Sequence, residues 1–173
     1  MPFNISGIRF SGEARPLRTV GLTTVISGLV NPEKISELPK IPSEERNMTG
    51  PFARTVSRWS TVKDVSKVEA ISRVIGIEDT KITGCQVIGS DYLGYNPESP
   101  EEVAGALERA SHNDPHGYSL LVVTLGSIAF SNKDFPPDAY VELNIGDACV
   151  FNSGLSHSIA PLTEIRRSLT LRF

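Results

Sequence analysis

The chain has 173 residues, 39% hydrophobic and 21% charged, with a net charge of −3. That length suits one domain, 1–173, with a single sizeable core, and the composition is that of an ordinary soluble globular protein. The mild acidity gives no sign of a nucleic-acid or acidic-membrane binder as a whole, but the charge is uneven, +2 over residues 1–80 and −5 over 81–173.

Residues 3–30 read as strand-like pieces broken by Gly and Pro, "FNISGIRF" and then "RTVGLTTVISGLV". The N-terminus lacks the charged head and long apolar core of a signal peptide. Asn31 to Pro51 is rich in proline and charge and reads as loop with one short helix. Within 46–67, Arg46, Arg54, Arg58, Lys63 and Lys67 face only Asp64, with Trp59 among them. Such a stretch is a solvated face, or else a rim for a phosphate-bearing ligand.

Two helices are better marked. "TVKDVSKVEAISRVIG" sets Val62, Val65, Val68, Ile71 and Val74/Ile75 at helical spacing, and Gly76 can end it. "SPEEVAGALERA" has Ser99 as N-cap, Pro100 at the first helical position and Glu102 to complete a capping box. After Asp114, "YSLLVVTLG", "SIAF", "AYVELNIG", "ACVFNSG" and "RRSLTLRF" read as five short strands. Helices followed by strands predict an α+β domain, a sandwich or barrel supported on one side by helices. Cys85 and Cys149 each lie in an apolar run and read as buried, reduced thiols, which fits an intracellular, cytoplasmic protein. No apolar run is long enough to span a bilayer.

The candidate chemistry lies in three residues. His112 and Asp114 are two apart, so in extended chain they face the same side, with Asn113 turned away. A third imidazole, His157, would complete two histidines and a carboxylate, the facial set of non-haem iron(II) oxygenases. An H-x-D triplet alone is common by chance. His116, between Pro115 and Gly117, reads as a turn residue. In "RRSLTLRF" alternation puts Leu169, Leu171 and Phe173 on one face and Arg166, Ser168, Thr170 and Arg172 on the other. Arginines facing inward need a partner, and a bound dicarboxylate would be one. The alternative is an edge strand whose second face is wet.

The order H-x-D, "GDACVF", "LSHSIAP", "RRSLTLRF" resembles the Fe(II)/2-oxoglutarate-dependent oxygenases, and its ending is similar to their AlkB-like branch. The resemblance covers residues 86–173. It implies a double-stranded β-helix (jelly-roll) core, with residues 1–85 as a supporting, substrate-shaping part. It implies iron held by His112, Asp114 and His157, with O2 and 2-oxoglutarate as cosubstrates. Arg166 would hold the far carboxylate of 2-oxoglutarate with Ser168 beside it, Arg172 would be a second arginine near it, and Tyr92 would reach it as well. The branch favours N-x-Y before the H-x-D, and this chain has Ser90 in place of the asparagine. The implied reaction is oxidation of a C–H bond: hydroxylation, or demethylation where the carbon is an N-methyl group.

Three functions compete. One is an AlkB-like oxygenase of a nucleic-acid base, gripped by the stretch 46–67. Another is a hydroxylase of a small molecule, amino acid or peptide in the same superfamily, favoured by the acidic balance. The last is a β-barrel binding module without metal.

Overall fold

The computed structural model describes residues 2–13, 15–39, 46–47, 54–59, 64–78, 82–91, 93–115 and 117–173, with backbone alone for 46–47 and 54–59. Tyr92, His116 and most of 46–63 therefore lie outside the described residues.

The chain begins with two hairpins: β1 (Phe3–Ile5) with β2 (Ile8–Phe10), and β3 (Leu17–Val20) with β4 (Thr23–Ile26). A 3-10 turn, Pro32–Glu37, follows, capped by the Asn31 side chain. Then come β5 (Arg46–Asn47), β6 (Arg54–Trp59), α1 (Val65–Ile75), β7 (Gly84–Ser90) and α2 (Pro100–Ala110). The rest is strand: β8 (Tyr118–Leu125), β9 (Ser127–Asn132), β10 (Val141–Asn144), β11 (Ala148–Asn152), β12 (His157–Pro161) and β13 (Arg166–Arg172).

The larger sheet has the order β3-β4-β11-β8-β13-β7-β6-β5, and the smaller one β10-β9-β12. His112 pairs with His157 and adds a rung beyond β12. From β7 onward the chain passes repeatedly between the two sheets, through the His112 rung, β8, β9–β10, β11, β12 and β13. That winding, with all pairs antiparallel, is a double-stranded β-helix, the jelly roll. β3 and β4 extend the larger sheet on one flank and β5 and β6 on the other, while β1 and β2 form a two-stranded sheet of their own.

Alternation along the strands divides the core in two. Leu121, Val123, Cys149 and Phe151 face inward and meet Ile128, Phe130, Val141 and Leu143 of the smaller sheet. Leu120, Val122, Leu169 and Leu171 face outward and meet Val68, Ile71 and Ile75 of α1. α2 covers the far side of the smaller sheet, with Val103, Ala106 and Leu107 on Ala129 and Ala160. The helices thus lie on opposite sides of the barrel and not on one side, because both sheets have an apolar outer face to cover. Burial on both faces also explains why β8 reads as a continuous apolar run.

α1 ends at Gly76 in a left-handed conformation. The capping box of α2 is half formed. Ser99 Oγ accepts from the Glu102 amide at 3.3 Å, whereas Glu102 Oε1 reaches the Asn96 amide instead of that of Ser99. No helix of the described residues is long and apolar enough to cross a membrane.

Candidate metal centre

α2 stops at Ala110, and the chain leaves it extended through Ser111. Two backbone bonds then tie His112 to His157, His112 N–H to His157 O at 2.9 Å and the reverse at 2.8 Å. The Asp114 amide donates to Ser153 O at 3.0 Å, and Ser153 Oγ donates to Pro115 O and Gly117 O. Residues 112–115 and Gly117 are thus fastened to the 152–157 turn, and two histidines 45 positions apart in sequence become neighbours. Gly117 passes so close to the chain end that an added Cβ would lie 2.8 Å from Phe173 O, at a φ of +136° that glycine adopts freely.

The ligand atoms of His112, Asp114 and His157 all lie within 4.8 Å of one another. Asp114 Oδ2 is 3.2 Å from His157 Nε2 and 3.7 Å from His112 Nε2. Adjacent donors around an octahedral first-row ion are about 3 Å apart, so Asp114 and His157 already stand near that spacing and His112 would have to close on them. His157 is buried against Phe151 and Phe130, while the His112 side chain is 47% exposed. One side of the cluster is therefore open and the other is sealed.

Each imidazole has its Nδ1 2.9 Å from a backbone carbonyl two residues back, His112 on Ala110 and His157 on Leu155. A carbonyl can only accept, so Nδ1 carries the proton in both rings. In the neutral rings Nε2 is then a bare lone pair, and it faces a carboxylate oxygen. Two acceptors pointed at each other at 3.2 Å require a cation between them, a proton or a metal ion. Asp114 is held down at about 2, first by its contact with His157, with burial opposing and the Arg172 charge adding to the effect. Arg172 Nη2 lies 3.3 Å from Asp114 Oδ1, which leaves Oδ2 turned to the imidazoles.

Arg166, Ser168, Thr170 and Arg172 share the inward face of β13, opposite Ser90, Ile88, Gln86 and Gly84 of β7, and Arg167 is exposed. Arg166 is buried; its Nε donates to Ser90 Oγ at 2.9 Å and its Nη1 to Ser168 Oγ at 3.1 Å. The second bond runs along the strand, in the direction of Arg172. Ser90, which stands where the resemblance favours asparagine, is thus a direct partner of Arg166. Tyr95 was not singled out from sequence. It donates to Pro161 O, and burial pushes its phenol up to about 12 against the opposing charges of Arg166 and Arg109.

A cleft of about 870 Å³ lies between α2 and the face of the smaller sheet that α2 covers; of the three cluster residues only His157 borders it. Glu101, Glu108, Lys133 and Asp138 stand on it, and Asn132 and His157 contribute to its lining. Cys85 and Cys149 are buried free thiols away from the cluster; burial pushes Cys85 up to about 12 and Cys149 further.

No protein-family model matches the chain, and no curated protein matches it in sequence. Solved structures of the cupin/jelly-roll class do match in shape. Salicylate 1,2-dioxygenase from Pseudoaminobacter salicylatoxidans is similar over 74% of this chain and 26% of its own, at 13% identity and a TM-score of 0.45. The EutQ protein of Clostridium difficile is similar over 78% and 80%, at 9% identity and 0.48. Procruciferin, an 11S globulin from Brassica napus, is similar over 76% and 28%, at 10% identity and 0.43. The chain spans about a quarter of the length of the dioxygenase and globulin chains. Likenesses this distant assign neither an activity nor a ligand.

Proposed function

We propose that the protein is a non-haem iron(II) oxygenase that uses 2-oxoglutarate and O2 to oxidise a substrate C–H bond, in the manner of the AlkB-like enzymes. The observation that carries the reading is the pair of imidazole lone pairs fixed toward the Asp114 carboxylate, on a jelly roll whose closing strand presents Arg166 and Arg172 inward. Two imidazoles and one carboxylate on one side of an octahedral ion leave three positions for other ligands, the arrangement suited to iron(II). Bound there, iron would supply the redox chemistry by which a substrate C–H bond, O2 and 2-oxoglutarate give C–OH, succinate and carbon dioxide, one oxygen atom going to the carbon and one to succinate.

The chain's own part is positioning. The Ala110 and Leu155 carbonyls fix the ring tautomers, and Arg172 fixes the carboxylate. Phe130 and Phe151 keep water from the inner side of His157. Arg166 and Ser168 offer a buried cationic seat, of the kind a far carboxylate requires.

Anaerobic addition of Fe(II) and 2-oxoglutarate tests this by the visible charge-transfer band of their chelate. The band is expected in the wild type and lost in His157→Ala. Metal binding without a band would remove 2-oxoglutarate and leave a metal-dependent jelly-roll protein. Two substrate classes follow. A nucleic-acid base requires binding that weakens steeply with salt. The acidic groups on the cleft beside His157, Glu101, Glu108 and Asp138, favour a small molecule or peptide, whose binding would vary little with salt.

A further inference from the structure

His112, His157 and Asn132 form a row across the smaller sheet. His157 pairs with His112 on one side and with Asn132 on the other. The Lys133 amide donates to Ser156 O at 2.8 Å, which makes Asn132 and His157 a pair without mutual backbone bonds. In such pairs side chains are closest, with Cβ atoms about 5 Å apart on one face. That face is the barrel interior, since Ile128 and Phe130, at alternate positions before Asn132, lie in the inner core.

An interior strand position next to two phenylalanines calls for an apolar residue. Asn132 is 5% exposed, and its Oδ1 is buried without a hydrogen-bond partner among the described residues. A buried amide oxygen left unpaired is costly, and such a group usually has a use. The turn after β9 employs the backbone carbonyl of Asn132, on the Phe135 amide, and not the side chain. Asn132 and His157 both border the α2 cleft, while the Asn132 side chain turns from it to the barrel interior, beside the imidazole of His157.

We propose that Asn132 positions the organic substrate, its side-chain oxygen accepting a hydrogen bond from an N–H or O–H group close to the bond to be oxidised. The inference rests on the reading of His112, Asp114 and His157 as a metal centre. The chemistry of the two small molecules separates their seats. 2-Oxoglutarate, ionised, offers only acceptor oxygens and suits Arg166 and Arg172. The Asn132 oxygen can be satisfied only by a donor.

The test uses the full chain loaded with Mn(II), whose unpaired electrons speed the relaxation of nearby ligand protons. The probes are N-methylacetamide, which has one N–H, and N,N-dimethylacetamide, which has none. In the wild type the first should show roughly five-fold greater enhancement, the weight of one hydrogen bond. Asn132→Leu should bring the ratio to about one. Asn132→Asp, which keeps an acceptor in the same place, should preserve it. Mn(II) affinity in Asn132→Leu should stay within about two-fold of wild type, since the side chain is no ligand. A ratio of one in the wild type, a ratio unchanged in Asn132→Leu, or loss of it in Asn132→Asp would each overturn the proposal. A large fall in Mn(II) affinity in Asn132→Leu would do so too, by placing Asn132 on the ion's own water. Failure of the underlying metal reading looks different: Mn(II) would speed water relaxation equally in wild type and His157→Ala.

Discussion

The Arg172 guanidinium touches Asp114 Oδ1 while Asp114 Oδ2 faces both imidazoles. One residue of the closing strand thereby orients the carboxylate of a loop 58 positions earlier in the chain. Groups that orient a metal ligand are typically worth about 10–100-fold in metal affinity. Arg172→Met should therefore weaken Mn(II) or Co(II) binding by about that factor, measured by calorimetry, while the fold survives. Equal affinity in the two proteins would show that Asp114 needs no such hold.

The two histidines should separate metal binding from stability. His112 is half exposed, and His112→Ala should change the metal-free unfolding free energy by no more than about 0.5 kcal/mol. His157 fills space against Phe151 and Phe130, and His157→Ala should cost about 2 kcal/mol in denaturant unfolding. Both should abolish the stabilisation that metal gives the wild type, which is about 4 kcal/mol at a free metal concentration a thousand times Kd. A variant that loses stability yet still gains from metal would exclude that histidine from the ligand set.

Much of the cluster was legible because its spacing is local chemistry. His112 and Asp114 are two apart, and the alternation of "RRSLTLRF" divides β13 into an apolar outer face and a polar inner face, as the register shows. α2 was legible through Ser99 and Pro100. β12 was not. "HSIAP" is covered inside by the barrel and outside by α2, so it has no alternation to read, and it ends in proline. β6 and β7 were missed for related reasons: "RTVSRW" looked like a basic surface, and "GCQVIGS" has glycine at both ends of a short apolar run. Asn132 became visible only through register, since nothing in "SIAFSN" says that its last residue faces His157.

Arg166 offers a test of 2-oxoglutarate that leaves the metal alone. Its bonds to Ser90 and Ser168 fix a planar fork inside the barrel. Arg166→Met should raise the 2-oxoglutarate Kd by at least about 30-fold, the cost of leaving a buried carboxylate without its charged partner. Arg166→Lys should fall between, because a lysine keeps the charge but not the two-pronged geometry. Metal affinity without 2-oxoglutarate should hardly move. If 2-oxoglutarate binds Arg166→Met as it binds wild type, the far carboxylate does not sit there.

The pH dependence follows from Asp114. In the folded protein its carboxyl is held at about 2, below the usual value near 4, first by its contact with His157. A carboxylate with a lowered pKa binds fewer protons folded than unfolded. Its contribution is therefore complete above about pH 4 and is lost as the pH falls from there toward 2. The amount is on the order of 2 kcal/mol, since the side chain is only 27% exposed. Asp114→Asn removes the titrating group. With a chelator present, the stability difference between wild type and Asp114→Asn in denaturant unfolding should shrink as the pH falls from 4 toward 2. Parallel curves through that window would mean that the Asp114 carboxylate is not held by its neighbours.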